Sequence, residues 1–442
     1  MKISIYTLGC KVNQYETQAL QTLFAQRGHD CVPFSEPADV YIINTCTVTA
    51  VSDKKSRQMI RRVRKQSPAA VVAVCGCYAQ TEPEAVRALG VDLVAGTGDR
   101  TGFVERLEDL MAHRTTAPQV AVDHALTRRE FEALPAGGLE GRTRAMLKVE
   151  DGCVNFCSYC IIPYARGPVR SLPLADAKAQ AAQLAAEGYR ELVVTGIEIS
   201  SWGAERKDAS GLIDLLEGVC AAAPGCRIRL GSLEPRTVTE EFCRRAAALP
   251  NLCPHFHLSL QSGCDETLRR MNRKYDTARY AESVCLLRAY FAAPGITTDL
   301  IVGFPGESEE EFAQSLDFLR SCRFSGVHIF PYSRRPGTPA DRLSGQQPNL
   351  VKHSRAQRAA AVAEELRAAY LESLVGQTLP VLFEEEADGL WRGHAPNYAA
   401  VLVPGERLHN ALLPVRVTGL RGDSLLGERA EQSGGREGES VV

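Results

Sequence analysis

Short apolar runs alternate with stretches of helical periodicity along the first part of the chain. Residues 2–7, 39–44 and 70–75 read as strands, followed by helix-like stretches at 13–26, 53–65 and 82–89. Strands alternating with helices predict a parallel sheet. From residue 142 a longer series begins, with strand candidates at 146–149, 191–195, 227–231, 255–260, 298–302 and 326–329. Ala- and Leu-rich helical stretches such as 174–187 lie between them. These units predict a partial or complete (β/α) barrel, closed by a helix over 350–371. After Gly376 the pattern shortens to strands at 379–385, 390–393, 399–403, 412–418 and 424–427. Tight turns such as Ala387-Asp388-Gly389 separate them, which predicts a small OB-like β-barrel.

The expected fold class is therefore α/β in three parts. A parallel α/β sheet domain occupies 1–122, a barrel 142–371 and the small β-barrel 372–432. The polar, glycine-rich stretch 123–141 reads as a linker, and the Gly-, Glu- and Ser-rich residues 433–442 as a disordered tail. The 442 residues exceed one hydrophobic core. A content of 45% hydrophobic and 24% charged residues is that of a globular protein needing no external staple. With a net charge of −2 the chain has no global field, so any nucleic-acid contact must come from local patches. No apolar run is long enough to span a membrane, and Met1 to Tyr6 lacks the apolar core of a signal peptide. The cytoplasm is the expected location.

The 15 cysteines then need a reason, because a reducing compartment disfavours disulfides. Cys220, Cys243, Cys285 and Cys322 lie in helix-like apolar patterns and Cys31, Cys226, Cys253 and Cys264 have no motif context, so all are expected to be small buried hydrophobes. Asp151-Gly152-Cys153-Val154-Asn155-Phe156-Cys157-Ser158-Tyr159-Cys160 is different. Cys-x3-Cys-x2-Cys directly after the first barrel strand offers three thiolates to a four-iron cluster and leaves one iron open, as catalysis requires. A structural zinc site would want a fourth ligand nearby, and no His or Cys follows until Cys220. The loop falls at the carboxyl end of a barrel strand, where such barrels place their chemistry.

Three more cysteines follow strands one by one: Cys10, Cys46 and Cys77. All would emerge at the carboxyl edge of one parallel sheet. Cys75 competes with Cys77, since residues two apart in a strand share a face. Cys77 is preferred because it lies past the strand, after Gly76, leaving Cys75 as a core residue.

The spacing of Cys153, Cys157 and Cys160, with an aromatic before the last, resembles the radical S-adenosylmethionine superfamily. The segments Thr7-Leu8-Gly9-Cys10-Lys11-Val12-Asn13-Gln14-Tyr15-Glu16, Asn44-Thr45-Cys46-Thr47 and Cys75-Gly76-Cys77-Tyr78 resemble the amino-terminal domain of radical methylthiotransferases. That likeness runs through the barrel into a carboxy-terminal TRAM domain. It implies two [4Fe–4S] clusters, one on Cys153, Cys157 and Cys160 for cleaving S-adenosylmethionine, and one on Cys10, Cys46 and Cys77 for handling sulfur. It also implies Tyr159 near the cofactor's adenine and Glu198 facing its ammonium. Gly303 would allow close backbone approach to adenine or ribose, although a plain strand-to-helix turn explains it as well. Gln261 is a further candidate lining residue. A low-potential donor such as flavodoxin or ferredoxin is implied as partner.

Within the family, residues 9–16, 152–170 and Phe330-Pro331-Tyr332-Ser333-Arg334-Arg335-Pro336 look most like enzymes that methylthiolate N6-threonylcarbamoyladenosine at position 37 of tRNA. The alternatives are relatives acting on isopentenyladenosine tRNA or on a ribosomal-protein aspartate. A non-catalytic iron–sulfur RNA-binding or electron-transfer protein is the reading from another class. For RNA, the most basic stretch supplies Lys54, Lys55, Arg57, Arg61, Arg62, Arg64 and Lys65, whose charges neutralise phosphates without reading sequence. A second candidate runs from Leu268 to Lys274. From Glu372 onward 6 Arg and no Lys face 11 Asp plus Glu, an acidic balance unlike an OB-type RNA groove, although Trp391 and Tyr398 are available for stacking.

Overall fold

The computed structural model describes residues 1–113, 118–137, 143–207 and 210–430. The expected tail at 433–442 and part of the expected linker lie outside them. The first strands and helices are β1 (Lys2–Thr7), α1 (Lys11–Gln26), β2 (Asp30–Cys31), β3 (Val40–Thr45) and α2 (Ala50–Gln66). They continue with β4 (Val71–Gly76), α3 (Cys77–Thr81), α4 (Pro83–Arg87), β5 (Leu93–Ala95), α5 (Arg100–His113) and β6 (Gln119–Ala121). The strands form one sheet in the order β2-β1-β3-β4-β5-β6, with every pairing parallel. All of β3 is buried, as a strand covered on both faces requires. Tyr15, Leu20 and Phe24 of α1 and Phe103 and Leu107 of α5 pack on one face. Ile60, Val63, Tyr78 and Val86 pack on the other.

Within the stretch expected as a linker, the described residues 123–137 pack against both domains. Leu134 and Ala136 are buried in the same core as α1 and the barrel. Tyr15 Oη donates to the Leu134 carbonyl at 2.8 Å. The apolar residues among its glycines find a pocket between the two domains.

The barrel opens with β7 (Arg144–Lys148). The antiparallel pair β8 (Glu150–Asp151) and β9 (Arg170–Ser171) frames the cysteine loop and α6 (Ile162–Arg166). Strand β10 (Glu191–Thr195) follows α7 (Leu174–Ala186), and β11 (Arg227–Leu230) follows α8 (Leu212–Ala222). After Gly231 the chain continues as β12 (Ser232–Leu233), then α9 (Glu240–Ala247), β13 (His255–Gln261), α10 (Asp265–Arg270) and α11 (Thr277–Tyr290). Last come β14 (Gly295–Val302), α12 (Glu309–Cys322), β15 (Gly326–Pro331) and α13 (Asn349–Glu372). Two parallel sheets result, β11-β10-β7 and β12-β13-β14-β15, joined where the strand passes from β11 into β12. This is a partial barrel, against whose open side the amino-terminal domain packs: Ala50 N donates to Ser333 Oγ at 3.0 Å and Arg335 Nη1 to Asp53 Oδ2 at 2.6 Å.

Strands β16 (Thr378–Ala387), β17 (Leu390–His394), β18 (Ala400–Pro404), β19 (Leu412–Arg421) and β20 (Ser424–Arg429) close in the order β16-β17-β18-β20-β19. This small barrel has its own core around Val381, Phe383, Val401 and Val415. Trp391 belongs to that core and is not free to stack on RNA. Tyr398 remains exposed, with its ring stacked between His255 and His394 at centroid distances of 4.9 and 4.8 Å. Among the isolated cysteines, six are buried as expected, but Cys31 and Cys285 are exposed. Cys31 lies on the edge strand β2 and Cys285 on a half-covered helix, so neither has a layer over it.

Candidate active site

Cys10 is the N-cap residue of α1, Cys46 follows β3, and Cys77 opens α3. Because β1, β3 and β4 are adjacent and parallel, the topology alone gathers their carboxyl-end loops. A β-carbon on Gly9 would stand 3.1 Å from Cys46 Cβ. Cys10 is exposed, whereas Cys46 and Cys77 are buried. Burial pushes the Cys77 thiol up to about 12; Arg166 pulls against it, and the nearby Cys10 and Cys46 add to the rise. Cys75 is fully buried in the core, as expected of the competing cysteine. The turn between the two cysteines needs Gly76, whose φ is +96° and which lies against the Thr45 backbone.

The loop carrying Cys153, Cys157 and Cys160 is held from both sides. Cys153 N donates to the Gly167 carbonyl at 2.9 Å, and Ser158 Oγ to the Arg270 carbonyl at 2.8 Å. Arg273 Nη1 donates to Cys157 Sγ at 3.0 Å, and Asn155 N to Cys153 Sγ at 3.5 Å. Burial pushes the Cys160 thiol up to about 12, and Cys157 beside it adds to this. Phe156 takes a left-handed φ of +46° within the loop.

Among the described residues no three His, Cys, Asp or Glu side chains converge on a point small enough for one metal ion. A four-iron cluster asks for something else, because it spreads its thiolates over separate irons. The donor sets fit that demand. Each site offers three thiols and an arginine, buried Arg166 at one and half-buried Arg273 at the other. At the second, N–H groups also point at sulfur, the kind of bond that tunes a cluster.

The remaining expected cofactor residues gather near the barrel's carboxyl end. Tyr159 packs with Met271, Phe304 and Tyr332. The Glu198 carboxylate accepts from Ser200 N at 3.2 Å and from Asn155 Nδ2 at 3.4 Å. Burial first, then Glu234, pushes its carboxyl up to about 7. Gly303 N donates to Glu307 Oε2 at 2.6 Å, and a β-carbon there would meet Lys352 Cγ at 2.5 Å. Packing against α13 thus accounts for the glycine. Gln261 ends β13 with a left-handed φ of +71°, backbone strain of the kind concentrated at functional sites.

On α2, Lys54, Lys55, Arg61, Arg62 and Lys65 are exposed. Two of the expected RNA contacts are engaged elsewhere. Arg64 pairs with Asp92 at 2.6 Å, and Arg57 Nη1 donates to Tyr78 Oη at 3.0 Å. The second basic stretch is divided: Arg270 pairs with Glu311 at 2.5 Å and Arg273 bonds to Cys157, whereas Arg269 and Lys274 are exposed.

Arg166 lies within the segment 152–170 but is not among the expected site residues, yet it is central to the site. It forms buried ion pairs with Glu16 and with Asp151 at 3.4 Å, and its Nη2 donates to Asn13 Oδ1 at 3.2 Å. Asn13 Nδ2 donates to the carbonyls of Leu8 at 3.0 Å and Thr45 at 2.9 Å, on the two loops that carry Cys10 and Cys46. Glu16 also takes Arg100 at 2.8 Å and Lys148 at 3.4 Å. Burial pushes the Glu16 carboxyl up, and the three cations overcome it and hold it low. A buried carboxylate this surrounded is stable only as an ion.

At the opposite end of the barrel, the strand starts hold the small β-barrel through a second buried cluster. Glu191 pairs with Arg229 and Arg227, each at 2.7 Å, and with Arg144 at 3.4 Å. Arg144 reaches Glu384 and His394, while Arg229 donates to the Pro396 carbonyl at 2.8 Å. Part of the acidic balance of the last domain is therefore spent on this junction. Between the barrel strands and this junction lies a cavity of about 600 Å³, lined by Lys11, His257, Asp299, His328 and Tyr398 among others.

A partial (β/α) barrel with a three-cysteine loop at its carboxyl end defines the radical S-adenosylmethionine class. The model of the Radical SAM superfamily matches residues 147–319, and that of Uncharacterized protein family UPF0004 matches residues 2–96. The threonylcarbamoyladenosine tRNA methylthiotransferase MtaB of Bacillus subtilis is 40% identical over 410 residues, 91% of this chain and 90% of its own. That of Thermotoga maritima is 35% identical over 98% of each chain. The chain belongs to the radical S-adenosylmethionine methylthiotransferase family, whose cofactors are S-adenosylmethionine and [4Fe–4S] clusters. A solved structure of the radical methyltransferase TsrM from Kitasatospora setae shares the fold with a TM-score of 0.57 at 17% identity, covering 77% of this chain and 75% of that one.

Proposed function

We propose that this chain attaches a methylthio group to C2 of N6-threonylcarbamoyladenosine at position 37 of tRNA. In this reading Cys10, Cys46 and Cys77 hold one four-iron cluster and Cys153, Cys157 and Cys160 hold the other. What supports it most is that each triad stops at three thiols, which leaves one iron of each cluster free for a non-protein ligand. When bound, the clusters and cofactor supply the radical, the methyl group and the sulfur.

The chain's own residues bind, orient and insulate. Glu198 receives the cofactor's ammonium, and Tyr159 and the Gly303 turn border its adenosine. Arg273 donates a hydrogen bond to Cys157 Sγ at 3.0 Å and so orients that sulfur. Arg166, Glu16 and Asn13 hold the two cysteine sites in fixed relation. Exposed Lys54, Lys55, Arg61, Arg62 and Lys65 attract the RNA backbone. A low-potential donor such as flavodoxin or ferredoxin supplies electrons in the cytoplasm, and among the described residues no helix is long and apolar enough to cross a membrane.

The test is nucleoside analysis of tRNA from cells lacking the gene. The expected result is loss of the 2-methylthio derivative of threonylcarbamoyladenosine with its precursor retained. Loss confined to the isopentenyladenosine derivative would assign the chain to the other tRNA substrate.

A further inference from the structure

Lys11 is the first residue of α1, next in the chain to Cys10, and it lines the cavity of about 600 Å³. Two other cations line that cavity, and both have carboxylate partners: Arg367 with Asp423 at 3.2 Å and Arg392 with Glu385 at 3.8 Å. The lining carboxylate, Asp299, is already within 3.3 Å of His257 Nε2. Lys11 forms no hydrogen bond or ion pair through its side chain among the described residues. The N-cap side chain of α1, Cys10, donates to Asn13 Oδ1 and accepts nothing from the first-turn N–H groups, which therefore add positive potential at the same place. A cavity wall with an uncommitted cation at a helix start favours an anion.

The proposed substrate carries one. Threonine joined to adenine N6 through a carbamoyl group keeps its carboxylate free. On adenine the N6 substituent leaves the ring at the edge beside the one bearing C2. An adenosine presented with C2 toward the Cys10 site therefore directs its side chain to the residue next to Cys10. We propose that Lys11 is a specificity-determining residue that reads the carboxylate of an amino acid linked to the adenine, while His257 and His328, with ring centroids 5.9 Å apart, line the space for the rest of that side chain. This rests on the substrate reading above and deepens it. An apolar N6 substituent leaves the ammonium without a partner, which supplies discrimination against it.

The experiment is equilibrium binding of the reconstituted full chain to two anticodon stem-loops, one bearing threonylcarbamoyladenosine and one bare adenosine. Wild type, Lys11→Gln and Lys11→Arg are compared, with iron content as the control for folding. Wild type should prefer the modified loop, Lys11→Gln should lose about tenfold or more of that preference, and Lys11→Arg should keep most of it. An undiminished preference in Lys11→Gln overturns the assignment. So does the absence of any preference in a wild type that still methylthiolates the modified tRNA. Loss of iron in both variants makes Lys11 structural and also overturns it. A wild type that leaves threonylcarbamoyladenosine untouched overturns the substrate reading instead.

Discussion

Arg166, at the end of the helix that follows the central cysteine loop, forms a fully buried ion pair with Glu16, on the helix that follows Cys10. One bond thus ties together the segments that carry the two cysteine triads. The pair has no water to fall back on, so removing either partner leaves the remaining buried charges unbalanced. Arg166→Ala should cost about 3–5 kcal/mol of unfolding free energy. Glu16→Ala should cost more, because it also takes away the ion-pair partner of Arg100, while Lys148 keeps Asp151 at 2.7 Å. Urea unfolding of both variants and the double variant checks this, and the double should cost less than the sum.

The cluster beneath the small β-barrel makes a pH prediction. Burial pushes the Glu191 carboxyl up, and Arg229, Arg227 and Arg144 overcome this and leave it at about 2. The unfolded value is about 4.5, so the folded state binds fewer protons below that pH. The stabilisation is present in full above pH 4.5 and is lost as pH falls toward 2, with a size on the order of 3 kcal/mol. A stability profile against pH should show this slope in wild type. In Glu191→Gln the slope should be flatter by that amount, on a lower baseline.

Separate triads predict separable losses. Cys157→Ala should retain about four irons and form no 5′-deoxyadenosine, while Cys46→Ala should retain about four irons and still cleave the cofactor without inserting sulfur. Iron assay and chromatographic detection of 5′-deoxyadenosine distinguish the two. Cofactor cleavage by Cys157→Ala contradicts the assignment, and loss of all iron in either variant contradicts independent sites.

On α2 the charges divide by partner. Lys54→Ala, Lys55→Ala and Arg61→Ala should each weaken tRNA binding and lower the slope of log affinity against log salt by about 1 for each phosphate no longer neutralised. Arg64→Ala should instead lower thermal stability, because its guanidinium is held by Asp92 and the carbonyls of Gly90 and Ala70. Filter binding across a salt series and a melting curve measure the two effects.

The longer strands were legible because each is a buried apolar run, and a cysteine just past such a run needs only the sheet's topology to join its neighbours. Cys10, Cys46 and Cys77 were placed on that basis. Strands β2, β5 and β6 were not, since two or three residues carry no periodicity. Arg166 and Arg273 were missed for another reason. Their partners Glu16 and Cys157 are 150 and 116 positions away, so local pattern holds no trace of the pairing. Arg273 falls in the basic run Leu268–Lys274, and sequence gives a charge its sign but not its direction.

The most direct test reconstitutes the chain anaerobically, counts its iron, and incubates it with S-adenosylmethionine, a reductant and tRNA bearing threonylcarbamoyladenosine before weighing the nucleosides. About eight irons per chain, as two four-iron clusters require, with a methylthio mass gain on that nucleoside is the predicted result. Few irons and no cofactor cleavage would contradict it.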